Sequence, residues 1–268
     1  IKIFNGDDQP PEAVEAILDE AQKLNLGTTA HLSQIGVGRM NALQAGRAGL
    51  GTVTHFYGHF ESMLENGPVQ NWPVDYNYQD EQDRFGNVAN LAAESFDAGS
   101  DEWWDYLKEQ KENNVTFDPT MTIYAAGRDL MRARNADWHD KYTMPQLWNF
   151  YSSSRINHGS YFYDWTTATE VKWRNFYKKL MRLMNDYKNI GGRVTTGSDS
   201  GFIFKPYGFG YVEELELLQE AGFNPSQVIV AATLNGALTL YEPKGEIAPP
   251  IGTVRVGKLA DMVIVKEN

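Results

Sequence analysis

The chain has 268 residues, enough for one large domain or two small ones. A hydrophobic content of 42% with 13% aromatics suits a sizeable buried core, and a net charge of −11 argues against nucleic acid and an anionic membrane surface, both of which need clustered Lys and Arg. The absence of cysteine removes disulfides, thiolate metal sites and thiol nucleophiles, and leaves the compartment open.

Ile1-Lys-Ile-Phe4 reads as the end of a strand, and residues 5–11 as a loop whose Pro11 suits the first turn of a helix. Val14, Ile17, Leu18, Ala21 and Leu24 follow at helical spacing, and Gly27 leads into a strand that stops at His31. A second helix is predicted over 37–48, and Thr52-Val-Thr-His55 is the next strand. This βαβαβ order in about 55 residues favours a parallel sheet. Residues 60–100 and 125–170 read as long insertions, rich in polar residues and in aromatics respectively. Between them come a helix over 103–111 and a strand over 115–120. A basic-faced helix over 173–187 ends at Gly191-Gly192, and Arg193 to Asp199 forms another strand. A helix over 213–221 follows, then one started by Asn224 as cap and Pro225 and running through Val228, Ile229, Ala232 and Leu238. The tail, 252–265, reads as two strands around Gly257-Lys258.

Three of these short segments end in a metal-capable side chain, in the order His31, His55, Asp199. A parallel barrel carries its chemistry at the C-terminal ends of its strands, so the pattern points to one site assembled from several of them. Two neutral imidazoles and a carboxylate suit zinc or a similar divalent metal. Metal-bound water loses a proton near neutral pH, and a neighbouring carboxylate, here Asp199, can take the remaining proton and pass it to a leaving amine. Lys2 is the fourth candidate. Alternation sets it on the face opposite Ile1 and Ile3, and as a carbamate its amine would offer two anionic oxygens. His59, which closely follows the His55 strand end, and Tyr57 are the candidates for substrate contact, whereas His139 and His158 lack a comparable context.

Six pieces in order resemble the amidohydrolase superfamily, in the branch near imidazolonepropionase and the metal-dependent prolidases. They are Ile1-Lys-Ile3, Thr29-Ala-His31, Val53-Thr-His55, Thr196-Gly-Ser-Asp199, Ala232-Thr-Leu-Asn-Gly-Ala237, and Ile251-Gly-Thr-Val254 with Gly257-Lys-Leu-Ala-Asp-Met-Val263. The resemblance implies an α/β fold, the (β/α)8 TIM barrel of metal-dependent hydrolases, represented here by strands 4–8 over residues 1–245. Residues 246–268 would form the closing hairpin of a small β-sandwich. Lys2 would be the carboxylated lysine ending strand 4, His31 and His55 ligands from strands 5 and 6, and Asp199 ligand and proton shuttle on strand 8. The implied cofactor is one or two divalent ions, zinc foremost, the second only with an upstream His-x-His pair. Such a pair is absent, and Ser33 stands where many relatives carry a histidine.

The chain opens without methionine inside an apolar run, so residues are expected to precede it, and the portion at hand is expected to need a companion N-terminal segment or a second copy. The activity read from these residues is metal-dependent cleavage of an amide, peptide or cyclic amide bond in a small-molecule substrate. The rivals are a non-catalytic scaffold on the same fold, and a deaminase or lyase on the same barrel.

Overall fold

The computed structural model describes residues 1–5, 9–65, 67, 71–156 and 158–266. Four short strands, β1 (Lys2–Asn5), β2 (Thr29–Leu32), β3 (Thr52–Thr54) and β4 (Thr116–Asp118), pair in that order, all parallel. Parallel neighbours require crossovers, and helices supply them. The chain returns through α1 (Pro11–Lys23) and α2 (Ala42–Arg47), then through α3 (Glu81–Glu94) and α4 (Asp101–Glu112). The architecture is therefore α/β around a parallel sheet. Residues 6–8 of the predicted loop lie outside the described residues, as do 66 and 68–70 in the first insertion and 157 in the second.

The elements follow from local chemistry. Val14, Leu18 and Ala21 form the buried stripe of α1, with Pro11 in its first turn. In β2, Ala30 and Leu32 are fully buried while Thr29 and His31 face the other side, the period-2 alternation of a strand. The helix predicted over 37–48 is shorter than expected. Asn41 accepts from the Gln44 N–H at 3.0 Å and Gln44 Oε1 accepts from the Asn41 N–H at 2.9 Å, and this capping box starts α2 at Ala42.

Beyond β4 come α5 (Met121–Arg128), α6 (Leu130–Arg134), α7 (His139–Tyr142) and α8 (Pro145–Phe150), so the second insertion is largely helical. The helix predicted over 173–187 is α9 (Thr167–Asn189), begun by the Thr166 side chain accepting from Thr169 N–H. It buries Trp173, Phe176, Tyr177, Leu180, Met184 and Tyr187 on one face. Next come α10 (Phe209–Glu220), α11 (Pro225–Val230), a π-helical turn over Ala231–Asn235 and α12 (Gly236–Tyr241). Among the described residues no helix is long and apolar enough to cross a membrane.

Three predicted strands differ, one over 193–199 and two in the tail. The segment 193–199 meets the sheet at a single parallel bridge, Phe117 to Val194, with Phe117 N–H donating to Arg193 O and Thr195 N–H to Phe117 O, both at 2.9 Å. It then leaves the ladder, and Asp199 takes a left-handed φ of 48°. Over 246–266 no strand forms among the described residues. The tail is held by a turn, Lys258 N–H to Arg255 O, and by Leu259 N–H to Pro250 O, and Val254, Val256, Val263 and Ile264 stay exposed. Apolar alternation without a partner strand has no ladder to join.

Candidate active site

A cavity of about 560 Å³ is lined by Lys2, His31, His55 and Asp199 together, residues that lie up to 197 positions apart in sequence. Lys2 is the first residue of β1 rather than its last, because pairing with β2 continues through Asn5. The register sets Phe4 beside His31, and their rings stack at 4.4 Å. His31 in turn meets His55 edge to face at 4.6 Å. His55 follows β3 in a left-handed conformation, φ 70°, a backbone state that costs a non-glycine residue about 1–3 kcal/mol and concentrates at functional sites. Its N–H donates to Asp118 O at 2.8 Å, and its Nδ1 pairs with Thr120 Oγ1 at 2.5 Å. Nε2 thereby faces Asp199 Oδ2, 3.8 Å away.

The electrostatics follow from burial. Burial, with lesser contributions from the charges of Lys2, Arg84 and His158, pushes His31 down to about 3. Burial also holds His55 well below the usual histidine range, aided by His31 and Lys2. Both imidazoles are therefore neutral at physiological pH, the form that offers a lone pair. Burial raises Asp199, and Lys2 and then His158 oppose the shift. Asp118 is raised to about 6 by burial, and among the described residues its Oδ1 has no hydrogen-bond partner.

Tyr57 lines the cavity and shares a 2.9 Å hydrogen bond with Tyr124, also in the lining. His59 does not line it. The His59 ring, expected at the substrate, is fully buried against Phe117, with Nδ1 on Tyr106 at 2.5 Å. His158, set aside from the sequence, does reach the cavity, where it pairs with Glu81. Arg84, Glu81, Phe85 and Phe202 also line the cavity and were not singled out, since they come from the insertion and from a turn with no ligand-like spacing. Asp118 and Thr120 carried one readable signal, their place at the end of a predicted strand.

By type, two neutral imidazoles, a carboxylate and an amine able to form a carbamate fit a divalent cation. The spacing is looser than the type. Among the described residues no three His, Asp or Glu are gathered as a metal site.

Parallel strands with helical crossovers define an α/β protein, and one cavity gathers side chains from β1, β2, the end of β3 and segment 193–199. The fold is similar to that of several solved structures. Ochratoxinase of A. niger is 18% identical with a TM-score of 0.55, the match covering 100% of this chain and 44% of that one. A bottromycin amidohydrolase is 18% identical over 93% of this chain and 47% of its own, TM-score 0.58. A Xaa-Pro dipeptidase with methionine in its active site is 16% identical over 100% and 48%, TM-score 0.52. The chain thus spans about half the length of these structures, 44–48%. No family profile and no curated protein matches the sequence.

Proposed function

We propose that this chain carries the site of a metal-dependent amidohydrolase that cleaves an amide, peptide or cyclic amide bond. The observation that supports it most is the meeting of Lys2, His31, His55 and Asp199 in one cavity. Lys2 as a carbamate, His31, His55 and Asp199 would hold a divalent ion, zinc or a similar metal. When bound, such an ion supplies Lewis acidity, polarising a carbonyl and acidifying water. Asp199 is the proton carrier: partly exposed beside neutral His55, it can take a proton from attacking water and deliver it to the leaving nitrogen. Thr120 fixes the His55 ring so that Nε2 faces inward. Tyr57 and Tyr124 present hydroxyls to the substrate space. The finer architecture belongs to the same proposal: β1 to β4 and segment 193–199 as strands 4–8 of a (β/α)8 barrel, with 246–268 as a sandwich hairpin.

The test is release of amine from N-acyl amino acids, dipeptides and cyclic amides, with and without a chelator. Hydrolysis is expected to need a divalent metal, and Asp199→Asn is expected to lower kcat by about 10²–10⁴-fold. Hydrolysis indifferent to both would refute the reading. The loose donor spacing favours one rival, a scaffold that has left catalysis behind. Intact protein without bound zinc, in which added zinc restores no activity, is the result that rival requires.

A further inference from the structure

Part of the cavity lining comes from α3, from the turn at His158 and from the turn at Phe202, and it includes Arg84. The guanidinium is held from behind. Nη1 donates to Tyr78 O and Nη2 to Glu81 Oε1, each at 3.1 Å. Glu81 also pairs with His158, so its carboxylate is shared between two partners. Among the described residues the Arg84 Nε–H, buried from water, has no hydrogen-bond partner. A buried donor left unmade is costly, and costlier on a charged group. An arginine held through its two terminal nitrogens, with the Nε–H unspent, retains a charged donor for a carboxylate oxygen.

Two further features agree. The chain carries a net charge of −11, yet with the Lys2 amine free, as in the metal-stripped chain, the charged lining of the cavity is balanced: Lys2 and Arg84 stand against Glu81 and Asp199. An anion repelled by most of the surface therefore meets no net negative field here. Around Arg84 the wall is apolar, with Phe4, Ile35, Phe85 and Phe202 in the lining. The space, about 560 Å³, is in the range of small-molecule sites.

We infer that Arg84 is the specificity residue of this cavity and that it anchors a carboxylate of the ligand, whose apolar portion packs against Phe85 and Phe202. The inference deepens the proposed function, since it takes the cavity as the substrate site, but its test needs no catalysis. The Nε–H receives a carboxylate oxygen of the ligand, while Tyr78 and Glu81 hold the two terminal nitrogens in place. A neutral amide of the same shape leaves the Nε–H without an anionic partner and binds more weakly.

The probes are 3-phenylpropanoate and 3-phenylpropanamide, titrated calorimetrically into the full chain in metal-stripped buffer so that no cation competes for the carboxylate. The wild-type chain is expected to bind the acid about tenfold or more tightly than the amide. Arg84→Gln is expected to abolish that preference while leaving amide affinity within about twofold. Arg84→Lys is expected to retain part of it as a point charge. Equal wild-type affinity for the two probes, no binding of either, or an undiminished preference in Arg84→Gln would overturn the inference. The wild-type comparison decides even if a variant fails to fold. A chain that prefers the acid but hydrolyses nothing keeps this inference and loses the hydrolase reading, and the reverse result separates them the other way.

Discussion

Thr120 shows how much of the site depends on one hydroxyl. It adopts φ 45° at the start of α5 and pairs with His55 Nδ1, which commits Nε2 to the cavity. Thr120→Val keeps the shape and removes the bond, so under the proposed metal site the affinity for zinc is expected to fall about 10–100-fold, measured by competition with a chromophoric chelator. Unchanged affinity would show that the ring is held by packing alone. Gly197 is equally constrained: a Cβ there would stand 2.8 Å from Asp118 Oδ1 and 3.1 Å from Thr120 Cγ2. Gly197→Ala is expected to cost about 1–3 kcal/mol in denaturant unfolding, as an overpacked position does. Glu214 sets a pH dependence. It is fully buried, accepts from Thr122 N–H at 2.7 Å, and is raised by burial to about 8. Between the unfolded value of about 4.5 and the folded value, the native state holds a proton that the unfolded chain releases, so stability falls as pH rises through this window and levels off above it. Glu214→Gln keeps an acceptor and is expected to flatten the decline in Tm between pH 5 and pH 8. A parallel decline in the two proteins would remove Glu214 as its source.

The crossover helices carry most of the packing and much of what the sequence made readable. In α9, the spacing of Trp173, Phe176, Leu180, Met184 and Tyr187 is a helical stripe visible in the bare chain, and all five are buried. Its start, six residues earlier than predicted, is set by the Thr166 cap, which apolar spacing does not reveal. The Asn224-Pro225 signal was local and legible, and it corresponds to a full capping box with Gln227 at 2.9 and 3.0 Å. Asn224→Ala is expected to destabilise the chain by about 0.5–2 kcal/mol, read from the denaturation midpoint. The insertions were legible only as excursions. Their joining above the cavity, through Tyr163 to Asp80, Asp164 N–H to Gln82 and His158 to Glu81, links residues 77 to 83 positions apart. No periodicity announces such bonds.

The sheet with its helices buries an extended aromatic core, from Phe56 and Phe60 through Trp103 to Tyr187, while the tail lies outside it. Val256 and Ile264 are more than 90% exposed, and Val254, Met262 and Val263 share that surface. Exposed apolar segments promote association. A chain truncated after Thr253 is therefore expected to keep its Tm within a few degrees and to sediment with less self-association than the full chain. A large loss of Tm would show that the tail supports the core.

Alternation, glycine and proline punctuation, and the recurrence of short β runs ending in His31, His55 and Asp199 are local properties, so the α/β class, the parallel order and the candidates that meet in one cavity were readable from residue order. The placement of His59 away from the cavity and of Arg84, Glu81 and His158 in its lining, the left-handed backbone at His55, Thr120 and Asp199, and the loss of ladder pairing after Val194 and along the tail were decided in three dimensions. The physical reason is the same for each. A side chain's burial, its charge state and its last hydrogen bond depend on neighbours brought close by packing, and those neighbours leave no pattern in the chain around it.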